Sequence, residues 1–206
     1  MKNYAGAWLP DDEADAVMMN AGPLYQVIKL RKAMQWTPNR RVALDIGAHC
    51  GLWSMQLAKE FERVVAFEPL ERHVECFKRN TYAIELHQMV LGDKNGSCGI
   101  NLVETLSGRS HIDGDGDYVM ATLDDFEFPT VDFIKVDTEG FEYFVLKGAE
   151  KTLLRCKPTM IIEQKAGHAE RYGIKDGDAI RYMESLGAVL RDEIIGDYVM
   201  SWGATQ

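Results

Sequence analysis

No apolar run of about eighteen residues occurs in this chain of 206, and its first residues do not follow the basic-then-apolar pattern of a secretory leader. The expectation is a soluble, cytoplasmic protein with no membrane partner. Positive charge is scarce as well: 23 Lys and Arg stand against 32 Asp and Glu, for a formal net charge of -9. Phosphate backbones are bound by clustered Lys and Arg, so nucleic acid is not an expected partner. Cys50, Cys76, Cys98 and Cys156 stand far apart with no C-x-x-C pair, which argues against a zinc site and against a dithiol redox motif. What is abundant is apolar: at 46% apolar residues a chain of this length can fill one core. One domain is expected over residues 23–206, preceded by an arm or lid over residues 1–22 that carries the acidic patch Asp11, Asp12, Glu13 and Asp15.

Organisation is clearest at residues 41–69. Val42-Ala43-Leu44-Asp45-Ile46 is a short apolar run carrying an acid, and Gly47-Ala48-His49-Cys50-Gly51 is a glycine-bracketed turn. After a helical stretch, Val64-Val65-Ala66-Phe67-Glu68-Pro69 is a second apolar run ending in an acid. This is the pattern of a β-α-β unit whose turn holds a ligand. Gly47 lets the chain leave the strand at torsions closed to residues with a β-carbon, and Gly51 lets backbone approach a ligand or the next helix. Glu68, about twenty residues past the turn, is placed to accept both hydroxyls of a ribose. The third turn position is His49, so the G-x-G-x-x-G of a dinucleotide site is absent, and no G-x-x-x-x-G-K-S/T run offers a triphosphate site. A cofactor with a ribose and no phosphate fits better, and Asp45 would face the amino-acid end of S-adenosylmethionine across the turn.

Elsewhere, Pro23 opens a helix that should run to Gln35 and pack on a sheet edge. Further helices are read at 52–59, 71–80 and 178–186, with another through Gly148 that carries Glu139 and Glu142 in its first turn. Strands are read at 84–91, 131–137, 159–163, 188–195 and 198–202, with short extra strands at 100–103 and 118–123. Asp113-Gly114-Asp115-Gly116-Asp117 resembles the start of a calcium loop, but the sixth and twelfth places hold Tyr118 and Asp124 where an EF-hand needs Gly and Glu. It is read as an acidic turn, and no metal site is assigned. The final hairpin at Gly196-Asp197 is informative. An α/β sheet of mostly parallel strands finished by an antiparallel hairpin strand is the outline of Rossmann-like class I methyltransferases, here expected as seven strands plus a short β insertion.

Four of these strands end in a carboxylate: Asp45, Glu68, Asp137 and Glu163. In open α/β sheets ligands bind beyond the carboxyl ends of the strands, so the four should converge on one crevice. Lys135, two residues before Asp137, points to the same side of its strand and can orient or partly neutralise it.

Three segments carry a resemblance to a known family. They are Leu44-Asp45-Ile46-Gly47-Ala48-His49-Cys50-Gly51, Ala66-Phe67-Glu68-Pro69, and above all Phe133-Ile134-Lys135-Val136-Asp137-Thr138-Glu139-Gly140-Phe141-Glu142 with Val145-Leu146-Lys147-Gly148-Ala149. Together, over about residues 41–202, they resemble the FkbM family of S-adenosylmethionine-dependent methyltransferases. The resemblance implies a class I fold and O-methylation, often of sugar or polyketide hydroxyls. It also implies a cofactor site lined by Asp45, Gly47, Ala48, His49, Gly51, Glu68 and Pro69, with Leu91 and Asp93 near the adenine. His49 stands where the family often has Asn; both tolerate left-handed torsions. His111 departs from the family's Gly-x-Ser-Ser, which begins near Gly108.

Methyl transfer to a hydroxyl needs an aligned acceptor and a group that takes its proton. Asp137 is expected to be that base or to orient the hydroxyl, with His111 and Glu163 as further candidates. One variant of this mechanism lets the strand-end acids hold magnesium. The acceptor would be a sugar, glycan or small metabolite. Two rivals remain at this stage: a non-catalytic S-adenosylmethionine-binding protein, and a nicotinamide-linked dehydrogenase, disfavoured by His49 and by the terminal hairpin.

Overall fold

The computed structural model describes residues 1–203. The last three positions of the domain expected to reach 206 lie outside the described residues. In chain order the elements are β1 (Lys2–Tyr4), β2 (Ala7–Leu9), α1 (Ala16–Ala21), α2 (Val27–Met34), β3 (Val42–Ile46), α3 (Leu52–Leu57), β4 (Arg63–Phe67), α4 (Glu71–Asn80) and β5 (Glu85–His87). A β-rich insertion follows: β6 (Val90–Leu91), β7 (Gly96–Cys98), β8 (Ile100–Asn101), β9 (His111–Ile112) and β10 (Tyr118–Ala121). The chain then resumes with β11 (Phe133–Val136), α5 (Glu142–Lys147), α6 (Glu150–Cys156), β12 (Thr159–Glu163), α7 (Asp178–Ser185), β13 (Val189–Ile194) and β14 (Asp197–Ser201).

Seven strands form one sheet in the order β13-β14-β12-β11-β3-β4-β5. It is parallel from β12 to β5, and β14 runs antiparallel to both β12 and β13. Every residue of β3, β11 and β12 is buried, as a parallel sheet covered on both faces requires. Alternation sorts the side chains: Leu44, Ile46, Val65, Ile134, Val136 and Ile162 join a core with Val145, Leu146 and Met183 of the helices on one face. Ala43, Val64, Phe133, Ile161 and Val199 join Leu30, Ala33, Trp53 and Leu57 on the other. The segment after Pro23 therefore packs on a face of the sheet and not on its edge, because Leu30 and Ala33 give α2 an apolar stripe that only a face can cover.

Several boundaries differ from the sequence reading for local reasons. The helix expected from Pro23 is broken at Gln26, which takes φ 54° and bridges two neighbours. Its Oε1 accepts from Trp53 Nε1 at 2.8 Å, and its Nε2 donates to the Tyr25 hydroxyl at 3.1 Å. The run 84–91 is split: β5 stays in the main sheet, whereas β6 leaves it to pair with β10 in a three-stranded sheet. Glu139 is not in a helix, since it sits at φ 56° in the loop before α5. Helix α6 was not expected, because the preceding helix is read only through Gly148. Here that glycine marks a bend where a β-carbon would lie 1.9 Å from the Gly92 carbonyl oxygen.

The arm is packed down. Ala7, Leu9 and Met18 are buried with Cys50, Leu52 and Cys76, and the Asn80 side chain accepts from Trp8 N and donates to Trp8 O. The acidic turn at 113–117 is tied by Gly99, which exchanges backbone hydrogen bonds with Asp113 and Gly114. No helix among the described residues is long and apolar enough to cross a membrane.

Candidate active site

A cavity of about 330 Å³ opens at the carboxyl ends of the parallel strands. Its first wall is the turn after β3. Gly47 has φ 74°, and a β-carbon there would fall 1.8 Å from the Asp137 carbonyl oxygen, so the turn can lie against the end of β11 only with glycine. Gly51 serves the next helix, not the cavity: its β-carbon would meet the Phe77 ring of α4 at 2.7 Å. Gly47, Ala48 and His49 line the cavity, as do Glu68, Pro69 and Leu91.

The Glu68 carboxylate is held from several sides. Oε2 accepts from His49 N at 2.9 Å, and Oε1 accepts from Leu70 N at 3.1 Å and pairs with His73 Nδ1 at 2.9 Å. The His49 ring lies 4.0 Å from the His73 ring, and its Nε2 meets Ser107 Oγ at 2.7 Å. Ser107 in turn donates to Glu13 Oε2 at 2.6 Å, which links the arm to the turn. Burial, and then the nearby His73, push the His49 pKa well below its ordinary value, so the ring is neutral. With the Ser107 proton on Glu13, His49 Nε2 carries the hydrogen and donates it.

Two more residues expected at the cofactor lie elsewhere. Asp45 is fully buried within β3 and does not line the cavity; its Oδ2 accepts from Ser54 Oγ at 2.6 Å and its Oδ1 lies 3.4 Å from Lys135 Nζ. Asp93 is exposed beyond β6, outside the lining.

Beside the turn, at the ends of β11 and β12, lies a cluster of charges. Lys135 Nζ donates to the Gly47 carbonyl at 2.7 Å and lies 3.6 Å from Asp137 Oδ2, so one ammonium ties the turn to the ends of β3 and β11. Burial disfavours that charge, but Asp137 and Asp45 outweigh it and raise the Lys135 pKa. Asp137, Glu139 and Glu163 each bring a carboxylate oxygen within 4.8 Å of the others. Lys165 Nζ bridges two of them, at 2.7 Å from Glu139 Oε1 and 2.8 Å from Glu163 Oε2. Burial and the adjacent Asp137 push Glu163 up to about 10, so it holds a proton at neutral pH. Burial works against the Asp137 charge too, yet Lys135 and the hydrogen bond with Glu163 hold its pKa below the ordinary value. The pair is thus one acid and one carboxylate, the division expected when two such groups cannot both ionise. His111, on the insertion, lines the same cavity, with Nδ1 at 3.1 Å from the Arg109 carbonyl. That contact places a hydrogen on Nδ1.

A methyltransferase FkbM domain matches residues 45–190. The chain belongs to the FkbM methyltransferase family. Among solved structures it is similar to the FkbM methyltransferase of Methylobacillus flagellatus, at 18% identity and a TM-score of 0.51, over 92% of this chain and 55% of that one. It is also similar to a precorrin-6y C5,15-methyltransferase of Geobacter metallireducens, at 14% identity and a TM-score of 0.53, over 98% of this chain and all of that one. A third is a putative S-adenosylmethionine-dependent methyltransferase of Listeria monocytogenes, at 10% identity and a TM-score of 0.50, over 85% of this chain and 98% of that one. At these identities the likenesses show the class I methyltransferase fold. No curated protein matches the chain at a significant level.

S-adenosylmethionine is accordingly the cofactor of this FkbM domain, and the residues present fit it. Glu68 offers carboxylate acceptors at the cavity edge, the apolar Phe67, Val90 and Leu91 lie beside it, and the carboxylates at the ends of β11 and β12 suit a cation. The sequence reading missed Lys165, Tyr25, Lys29 and Ser107, all of which line the cavity. Lys165 had a signal, since it stands two residues after Glu163 just as Lys135 stands two before Asp137. Ser107 had none, because its role depends on a contact with residue 13.

Proposed function

We propose that this FkbM domain moves a methyl group from S-adenosylmethionine to a hydroxyl of a sugar, glycan or small metabolite. The observation that carries the proposal is the cluster of Asp137, Glu139 and Glu163 at the ends of β11 and β12, beside the cofactor turn, in which Asp137 is the carboxylate with a lowered pKa and Glu163 the one with a raised pKa. When bound, the cofactor supplies an activated methyl on a sulfonium. Glu68 would hold the ribose, with Phe67, Val90 and Leu91 against the adenine and residues 47–49 beside the methionine portion.

Asp137 accepts the hydrogen bond of the acceptor hydroxyl, aligns its oxygen and receives its proton as the new bond forms. Its side chain is 25% exposed, whereas those of Glu139 and Glu163 are at 6% and 7%, so Asp137 is the carboxylate a substrate reaches. Glu163 keeps its own proton and steadies the Asp137 charge. His111 stands as a second polar group from the insertion side. Lys165 stands between Glu139 and Glu163 where a divalent ion would otherwise draw on the same oxygens, which favours a mechanism independent of magnesium. Work in the cytoplasm is part of the same proposal and agrees with four free thiols.

Calorimetric titration with S-adenosylhomocysteine, followed by a coupled assay for its release from S-adenosylmethionine with a panel of glycosides and polyols, tests the reading. Binding with turnover that survives EDTA is expected. Binding with no release from any hydroxyl compound would leave a binding protein, and no binding at all would remove the reading.

A further inference from the structure

The hairpin between β13 and β14 turns on two residues, Ile195 and Gly196, since Ile194 pairs with Asp197. Both have positive φ, 53° and 79°. That is the mark of a mirror-image two-residue turn, whose first position favours Asn, Asp or Gly. A β-branched residue in the left-handed region is an outlier. The loop is pinned in this shape: Gln164 N donates to the Gly196 carbonyl at 2.7 Å, and the Asp197 carboxylate is paired with Lys29 of α2.

Packing does not account for isoleucine here. Ile195 is 92% exposed, yet it lines the cavity. Gln164, which holds the turn, lies between Glu163 and Lys165, so Ile195 stands at the mouth beside the charged wall. Ile195 thus puts an exposed apolar side chain next to the acid-lined side of the cavity. Strained residues that serve no packing purpose cluster where a ligand is held.

We infer that Ile195 is a specificity residue that grips an apolar portion of the acceptor at the cavity mouth, so that the acceptor is an amphiphile whose hydroxyl enters while an alkyl or aryl part stays against Ile195. This rests on the hydroxyl-methylation reading above. The charged side of the cavity selects for hydrogen bonding, and Ile195 selects for apolar contact.

The test compares octyl β-D-glucopyranoside, kept below its micelle concentration, with methyl β-D-glucopyranoside. Affinities are measured with and without S-adenosylhomocysteine on the wild-type chain and on I195N. The wild type should bind the octyl compound at least about tenfold tighter, the discrimination a small apolar contact supplies. I195N should lose most of that preference, keep its affinity for S-adenosylhomocysteine, and melt about 2 °C or more above the wild type because Asn relieves the turn. Equal affinity for the two glucosides, or binding of neither, overturns the inference, as does I195N retaining the octyl preference or melting no higher. Failure of S-adenosylhomocysteine to bind the wild type would instead strike at the methyl-transfer reading, so the two failures are told apart.

Discussion

The two walls of the cavity hold carboxylates in opposite ways. At the turn, Glu68 takes hydrogen bonds from two backbone amides and faces one histidine, with no competing acid among its partners. At the ends of β11 and β12, Asp137, Glu139 and Glu163 crowd within 4.8 Å and share the ammonium groups of Lys135 and Lys165. Glu139 Oε2 and Asp45 Oδ1 are buried there without a well-formed hydrogen bond. A carboxylate fixed by several donors keeps its place, which suits binding. Carboxylates that repel one another hold protons unevenly, which suits chemistry.

The largest effect should come from the crowded wall. Asp137→Asn keeps the shape of the side chain but removes its charge and its capacity to take a proton. Turnover is expected to fall roughly 10²–10⁴-fold, while the dissociation constant of S-adenosylmethionine stays within about threefold. If the loss fell on cofactor affinity instead, the two walls would not divide binding from chemistry. The fixed wall should give the reverse pattern. Glu68→Gln is expected to weaken cofactor binding about 10- to 100-fold, since hydrogen bonds to a charged acceptor are worth about 1.5–3 kcal/mol, with turnover at saturation largely kept.

How much of this division was legible beforehand depends on sequence distance. The turn, the second strand and the acids Glu68, Asp137 and Glu163 could be read because a β-α-β unit puts residues at strand ends on one side by construction. The hairpin followed in the same way from local turn chemistry, but one residue late: the turn is Ile195-Gly196, and Asp197 already pairs with Ile194 in the strands. Asp45 is part of the same pattern and still turns inward, because Ser54 and Lys135 satisfy it within the fold and no ligand is needed. Lys29 reaches Asp197 over 168 residues, and Ser107 reaches Glu13 over 94. No periodicity or spacing encodes such contacts. Gln26 shows a third limit: helical spacing ran straight through it, and a tertiary bond from Trp53 broke the helix.

Glu142 tests whether the crowded wall also sets the stability of the fold. It is 1% exposed, and its Oε1 accepts from Thr138 N and Gly140 N at 2.9 and 3.0 Å. Burial outweighs these bonds and raises its pKa to about 7. Because the folded chain keeps this proton longer than the unfolded chain, the contribution is fully present below about pH 4.5 and is lost as pH rises through about 7. The loss is on the order of 3 kcal/mol, or several degrees of melting temperature for a chain of this size. Glu163, raised to about 10, adds the same sign over a window that extends further up. Melting curves at pH 5 and pH 8 should therefore converge for Glu142→Gln relative to the wild type. Parallel shifts in the two proteins would contradict the assignment.

The smallest effect on activity is expected where the arm meets the fixed wall. Ser107→Ala removes the hydroxyl between Glu13 Oε2 and His49 Nε2, leaving a buried acceptor and a buried donor unpaired at a cost of about 1–3 kcal/mol. Melting should drop by a few degrees. His49 presents the amide that holds Glu68, so loosening its ring should also weaken S-adenosylmethionine binding by a few-fold without changing turnover at saturation. A fall in melting temperature with cofactor affinity unchanged would show the arm to be a passive cover. A parallel fall in both would show that residues 1–22 help shape the turn from a distance, which makes the fixed wall a structure of three chain segments joined through one serine.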